Sequence, residues 1–101
     1  MDTAGRVTVN LSGDVPVIAL VGEFDIANEC DLRNALAAVA NGHRARVALD
    51  LSRTTFLDST ALRVLAVTWR EGIDLSVRGA TGEARLALEV SGLLCYLRED
   101  G

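Results

Sequence analysis

Residues 47–66 read VALDLSRTTFLDSTALRVLA, and the architecture of the whole chain can be inferred outward from them. The opening VALDL is typical of a buried strand, and a short polar loop leads from it to Asp58, Ser59 and Thr60. An apolar helix begins immediately afterwards. Both hydroxyls therefore lie at a helix start, where backbone N–H groups lack partners and the helix dipole favours negative charge. Such a position suits a capping serine, and it also suits a covalently added phosphate.

Turn residues and apolar spacing divide the rest of the chain into further elements. The pattern predicts a hairpin of strands at 7–12 and 15–21, strands at 46–51 and 73–78, and helices at 28–39, from 59 or 60 to 71, and at 83–90. Asn28 is expected to cap the first helix, and Trp69 to lie in the core stripe of the second. The order β-β-α-β-α-β-α predicts an α/β domain with a mixed sheet of four to five strands and helices mainly on one face.

Size and charge limit the classes of function. The chain has 101 residues, enough for one domain that buries roughly 65% of its unfolded surface. Its formal net charge of −4 argues against direct nucleic-acid binding, which needs a basic face. No apolar run is long enough to span a membrane, and the N-terminus lacks the features of a signal peptide. A cytoplasmic protein without membrane insertion is expected.

Catalysis and cofactor binding are not expected. His43 and Ser59 flank the strand at 46–51, which separates them by roughly 20 Å and makes His43 a poor general base. There is no Gly-x-Ser-x-Gly, P-loop or GxGxxG motif, so a small hydrolase is only a remote alternative. Cys30 and Cys95 form no CxxC pair and no zinc set, and small buried hydrophobes are their expected role. Neither a metal nor a cofactor is predicted.

Three segments in the same order and spacing resemble the STAS family, the anti-sigma factor antagonists of bacteria. They are VGEFD at 21–25, DLSRTTFLDSTAL at 50–62 and ARLALEVSGL at 84–93. The family's motif is Asp-Ser-Ser/Thr-Gly-Leu after the third strand, and its phosphoacceptor is the residue after the Asp, which here is Ser59. Ala61 stands in place of the usual Gly. Residues 1–101 resemble a single STAS domain that is short at the C-terminus, ending before the final strand and helix of many relatives.

The resemblance implies a partner-switching regulator, an anti-sigma factor antagonist. The unphosphorylated form would bind an anti-sigma factor serine kinase, and phosphorylation of Ser59 from ATP, with Thr60 as a secondary acceptor, would release it. A serine phosphatase would reset the switch, and ATP and Mg²⁺ would belong to the kinase. The chain is expected to be a monomer or weak dimer. The residues expected to bind the partner are Glu23, Asp25, Asp58, Ser59, Thr60 and Arg63.

Other roles for these residues stay open. Ser59 also suits an ordinary N-cap, and Thr60 suits a solvent-exposed residue of the first helical turn ahead of a second acceptor. Asp58 either orients the Ser59 hydroxyl or caps the helix itself. The alternative role of Asp25 is to cap the following turn only, and Asp50 suits structural hydrogen bonding at a strand end. The alternative function is that of a binding module from another STAS branch, such as a lipid-transport ATPase accessory subunit or a stressosome-type scaffold. In that case the hydroxyl loop would dock without phosphorylation.

Overall fold

Strands and helices alternate along most of the chain. The computed structural model describes residues 5–40 and 46–99. These ranges contain β1 (Arg6–Asn10), β2 (Val17–Phe24), α1 (Glu29–Ala40), β3 (Arg46–Asp50), β4 (Thr54–Leu57), α2 (Ser59–Arg70), β5 (Asp74–Arg78), α3 (Gly82–Ser91) and β6 (Arg98–Glu99). Short 3₁₀ turns at Ile26–Asn28 and Leu93–Cys95 precede α1 and follow α3. The predicted α/β class is confirmed.

The strands form one mixed sheet in the order β1-β2-β3-β5-β6, and β4 pairs with β2 outside this path. β1 is antiparallel to β2, as the hairpin pattern predicts, and the other pairs are parallel. The first part of β2 pairs with β3, where Ala19 lies opposite Asp50. The last part of β2 pairs with β4, where Phe24 lies opposite Leu57. β4 therefore continues the sheet along β2 beyond the end of β3.

One face of the sheet holds the core. Inward side chains of the three central strands are at most 1% exposed: Ile18, Leu20, Val47, Leu49, Leu75 and Val77. α2 packs against both α1 and α3, so the three helices form one layer over this face. The opposite face has a shallow cavity of about 220 Å³. Its floor is formed by Val17, Ala48 and Ser76, each of which is next in sequence to a core residue of its strand. The expected one-sided arrangement of helices is confirmed.

A tight turn after β3 creates a strand that the sequence pattern does not predict. Asp50 Oδ1 accepts hydrogen bonds from the Ser52 N–H at 3.0 Å and from the Ser52 hydroxyl at 2.7 Å. The Thr54 N–H donates to the Leu51 carbonyl at 3.1 Å, and the buried Thr54 hydroxyl donates to the carbonyl of Leu20. The chain thus returns to the sheet as β4 instead of continuing as a polar loop. The hydrogen bonds from Ser52 lower the pKa of Asp50, and its expected structural role is confirmed.

A short strand near the end of the described residues adds to the predicted sheet. Arg98–Glu99 pair in parallel with β5 as β6, and the sheet has six described strands in place of four or five. Arg98 forms a salt bridge with Asp74 at 3.2 Å. Arg85 on α3 forms another with Glu99, which lowers the pKa of that carboxyl. A two-residue strand is too short to be recognised from apolar alternation, and its backbone pairing with β5 identifies it in the structure.

The two cysteines are exposed free thiols, so their interpretation as buried hydrophobes is wrong. On α1 the buried positions are Leu32 and Leu36, which lie four residues apart on one face of the helix. Cys30 precedes Leu32 by two residues and points away from that face. His43 lies outside the described residues, and its separation from Ser59 stays a prediction.

Replacement of Gly79 tests the contact that supports the Asp50 turn. Gly79 has φ +75°, and an added Cβ would lie 2.8 Å from Ser52 Cβ and 3.1 Å from Ser52 Cα. Gly92 has a similar φ of +81° but no atom within 4 Å of an added Cβ, so it serves as the matched control. Gly92→Ala should lower the free energy of unfolding by about 1 kcal/mol through backbone strain alone. Gly79→Ala should cost roughly 1–3 kcal/mol more through overpacking.

Urea denaturation of the two variants and of the unchanged chain provides these values. Equal losses for Gly79→Ala and Gly92→Ala would contradict the close approach of Gly79 to the Asp50 turn.

Candidate functional site

Two parallel strands end side by side at the start of α2. Phe24 at the end of β2 lies opposite Leu57 at the end of β4. The Asp58 N–H donates to the Phe24 carbonyl at 3.0 Å and ties the two strand ends together. Because parallel strands point the same way, Asp25 and Asp58 emerge at the same edge of the sheet. The structure therefore brings Asp25 next to the start of α2, and Glu23 is exposed near the end of β2.

Asp58 caps α2. Its backbone is extended, with φ −91° and ψ −177°, and its Oδ1 accepts a hydrogen bond from the Ala61 N–H at 3.0 Å. Ser59 is consequently the first residue of the helix and not its cap. Its side chain is exposed, and no described residue forms a hydrogen bond with its hydroxyl. The cap, one of the two roles open for Asp58, leaves the Ser59 hydroxyl free for other chemistry.

The next two residues face inward to different degrees. Thr60 is half-buried, so its hydroxyl is less accessible than that of Ser59. Ala61 is 1% exposed and its methyl group belongs to the hydrophobic core. The Ala at this position, where the resemblance has Gly, therefore anchors the first turn of α2 against the core. Ser59 is the one exposed hydroxyl of this first turn.

Asp25 and Asn28 form a reciprocal cap on the neighbouring turn. The Asp25 side chain accepts from the Ala27 N–H at 2.9 Å, and the Asn28 side-chain oxygen accepts from the Asp25 N–H at 2.9 Å. The buried Asn28 amide also donates to the Glu23 carbonyl at 2.9 Å. Asn28 is thus not the cap of α1, as its position in the sequence predicts. Asn28 fixes the backbone from Glu23 to Asp25, because its side-chain oxygen and nitrogen both form hydrogen bonds with that segment.

A groove runs along the exposed side of α2, starting at Ser59. We call it the α2 groove; it has a volume of about 610 Å³ and is lined by Ser59, Leu62, Arg63, Ala66, Trp69, Arg70, Ser91, Leu93 and Tyr96. The rings of Trp69 and Tyr96 lie with their centroids 4.9 Å apart at 47° to each other. Arg63 therefore lies in a concave surface that is continuous with the start of α2.

The prediction that Trp69 is a core residue is wrong. The buried residues of α2 are Ala61, Val64, Leu65 and Thr68. This face is rotated from the predicted stripe, because Leu62 and Ala66 are only half-buried and Trp69 is 37% exposed. Residues at i+3 and i+4 spacing occupy two adjacent faces of this helix, and apolar spacing alone does not choose between them. Trp69 is consequently part of the α2 groove.

Two apolar side chains near the strand ends are exposed and were not among the predicted site residues. Ile26 is 74% exposed in the turn after Asp25, and Phe56 is 39% exposed on β4. Both lie near the strand ends, where β2 and β4 run side by side, and a contiguous apolar patch is the surface feature that marks protein binding. In the sequence, the one sign of such a surface is the apolar Ile26 directly after Asp25.

The described part of the chain has neither a candidate metal site nor a helix that could span a membrane. Within residues 5–40 and 46–99, His, Cys, Asp and Glu side chains form no group of three or more that could hold a metal ion. In these same ranges, every helix is too short or too polar to cross a bilayer.

Comparisons with known proteins identify this arrangement. A family model described as "Mlab, STAS domain" matches residues 7–96. An anti-sigma factor antagonist from Mycobacterium paratuberculosis superposes with a TM-score of 0.83 at 25% identity, over 98% of this chain and 87% of that one. No curated protein sequence matches the chain.

Two solved structures of SpoIIAA, one unphosphorylated and one phosphorylated, share the fold. Unphosphorylated SpoIIAA has a TM-score of 0.78 at 17% identity, covering 95% of this chain and 89% of its own. Phosphorylated Bacillus SpoIIAA has a TM-score of 0.66 at 18% identity, covering 97% and 92%. The match of the family model over nearly the whole chain and the shared architecture lead to one conclusion: this chain belongs to the STAS domain family and has the fold of its anti-sigma factor antagonists.

Proposed function

We propose that this chain is an anti-sigma factor antagonist that switches partners through phosphorylation of Ser59. The observation that carries the proposal is the exposed side chain of Ser59. Ser59 is the first residue of α2, and Asp58 is its N-cap. The likeness to the Mycobacterium antagonist supports this role. The existence of SpoIIAA in unphosphorylated and phosphorylated forms supports a covalent switch on this fold. The unphosphorylated chain binds an anti-sigma factor serine kinase, and the phosphorylated chain is released.

The proposed phosphate has opposite effects on the domain and on the complex. It adds about −1.5 to −2 charge. At the N-terminus of α2 this charge is favoured by the helix dipole, so the fold tolerates it. A partner surface fitted to a neutral hydroxyl instead faces a dianion beside Asp58, and removing such a charge from water is costly. Each 1.4 kcal/mol of this cost weakens binding about tenfold.

The proposed partner surface surrounds Ser59 and comprises Glu23, Asp25, Asp58, Ser59, Thr60 and Arg63. Asp25 and Asp58 mainly shape the backbone through their caps, whereas Glu23 and Arg63 present exposed charges. Ile26 adds an exposed apolar contact. The chain acts by binding: the kinase holds ATP and Mg²⁺, and a serine phosphatase restores the free hydroxyl of Ser59. Thr60, half-buried, is a secondary acceptor.

A second candidate function is a STAS binding module that docks without phosphorylation, for instance as an accessory subunit of a lipid-transport ATPase. The matching family model is described as "Mlab, STAS domain", and this description supports a STAS module of another branch. Purification of the chain with its bound partner separates the two functions. A soluble serine kinase in the complex supports the antagonist, and a membrane ATPase supports the alternative.

Phosphorylation and binding should both depend on Ser59. Incubation with the partner kinase and ATP should add one phosphate at Ser59, detected by intact mass and peptide mapping. Ser59→Ala should bind the ATP-free kinase but accept no phosphate, and Ser59→Glu should weaken binding at least about tenfold. Thr8→Ala is the matched control, because it removes an exposed hydroxyl on β1 outside the proposed partner surface, and it should keep both properties. An unmodified Ser59, or binding indifferent to Ser59→Glu, contradicts the proposal.

The cap of Asp58 should contribute to stability through its oxygen and not through its charge. Asp58→Ala removes the acceptor and should lower the free energy of unfolding by about 1 kcal/mol. Asp58→Asn retains an acceptor and should differ from the unchanged chain by less than about 0.5 kcal/mol. Asp31→Ala is a control, because Asp31 is an exposed acid in the first turn of α1. Urea denaturation measures all three, and equal losses for Asp58→Ala and Asp58→Asn would count against the cap.

A further inference from the structure

The α2 groove has the length and shape to hold a short helical segment. It extends along α2 from Ser59 to Arg70, which corresponds to about 16 Å of helix. Ser91, Leu93 and Tyr96, from the end of α3 and the turn after it, form the opposite wall. A segment of about three helical turns spans this distance.

The apolar part of the α2 groove ends in an aromatic pair. Leu62 and Ala66 are half-buried, while Trp69 is 37% and Tyr96 60% exposed. Aromatic side chains with large accessible area are the usual anchors of protein interfaces. In this chain the pair stands at the end of the groove opposite Ser59. A bulky apolar side chain of a bound segment can therefore lie against Trp69 and Tyr96.

The charged part of the α2 groove is basic, although the chain has a net charge of −4. Arg63 and Arg70 line it, and none of its lining residues is acidic. In the described ranges, salt bridges involve Arg33, Arg46, Arg85 and Arg98, but not Arg63 or Arg70. These two guanidinium groups are thus available to carboxylates of a ligand.

From the shape, the aromatic pair and the charge, we infer that the α2 groove binds an acidic amphipathic segment of the anti-sigma factor kinase. Apolar side chains of the segment pack on Leu62, Trp69 and Tyr96, and its carboxylates pair with Arg63 and Arg70. This inference rests on the proposed function for the identity of the partner. It places the partner contact along the whole of α2 instead of only at the loop around Ser59.

Arg63 also connects the groove to the switch. It follows Ser59 by four residues on α2, the spacing at which an anion and a following cation pair on a helix. A phosphate on Ser59 therefore attracts the Arg63 guanidinium and removes it from the carboxylates of the bound segment. Phosphorylation thus adds negative charge at one end of the groove and withdraws one of the two cations that hold an acidic ligand.

The test measures binding of the ATP-free kinase to variants of the full chain by calorimetry. Arg63→Glu, Arg70→Glu and Tyr96→Ala should each weaken binding at least about fivefold. Arg46→Glu is the matched control, because it makes the same change of charge in the shallow cavity on the opposite face of the sheet. It should leave affinity within about twofold. Circular dichroism checks that each variant is folded, and Arg63→Lys should recover part of the affinity lost in Arg63→Glu.

The outcomes separate this inference from the proposed function. If Ser59→Glu weakens binding and the groove variants do not, the groove inference is overturned and the switch stands. If the groove variants weaken binding and Ser59→Glu does not, binding in the α2 groove is supported and the proposed switch at Ser59 is contradicted. Self-association abolished by Tyr96→Ala would assign the groove to a second copy and overturn the inference. Binding of phosphatidylglycerol vesicles abolished by Tyr96→Ala would assign it to lipid with the same consequence.

A double-mutant cycle tests the connection through Arg63. The loss of affinity caused by Ser59→Glu should be at least about threefold smaller in an Arg63→Ala chain than in the unchanged chain. The reason is that the Arg63→Ala chain has no guanidinium at this position for the new charge to withdraw. Arg70→Ala, two turns farther along α2, should leave the effect of Ser59→Glu unchanged. Equal effects of Ser59→Glu in all three backgrounds would overturn this connection.

Discussion

The hydrogen bonds of Asp58 hold the candidate site together. Its backbone N–H donates to the Phe24 carbonyl at 3.0 Å and fixes the start of α2 at the end of β2. Its side chain accepts from the Ala61 N–H at 3.0 Å and satisfies the first turn of the helix. Because Asp58 makes both hydrogen bonds, the fold does not require the side chain of the neighbouring Ser59. The chain can therefore carry a modifiable hydroxyl at a helix N-terminus without making its fold depend on that hydroxyl.

The surface around Ser59 has two parts of opposite charge. At the strand ends, Glu23, Asp25 and Asp58 make the surroundings acidic, and the caps of Asp25 and Asp58 make the backbone rigid. Along α2, Arg63 and Arg70 make the groove basic. A phosphate on Ser59 would lie between these parts, repelled by the first and attracted by the second. One modification would thus act on both the local contact and the groove beside it.

Local chemistry explains how much of this was predictable from the sequence. The strand at residues 46–51, the loop and the helix after Asp58 follow from apolar runs and capping residues, and they place Ser59 correctly at a helix start. Features that depend on tertiary contacts were missed. β4 exists because the Asp50 turn and the buried Thr54 return the chain to β2. Trp69 is in the groove because packing against the core selects the neighbouring face of α2. Asn28 looks like a cap, but burial directs its amide to the backbone of Glu23 and Asp25.

The most direct measurement is the free energy of unfolding of the chain with phosphoserine installed at position 59, compared with the unmodified chain. If the Ser59 hydroxyl is free of structural duty, the phosphorylated domain keeps its stability or gains about 0.3–1 kcal/mol from the helix dipole. In the same samples, its affinity for the kinase falls at least about tenfold. A loss of more than about 2 kcal/mol of stability on phosphorylation would show that Ser59 is part of the fold and would contradict a switch built on it.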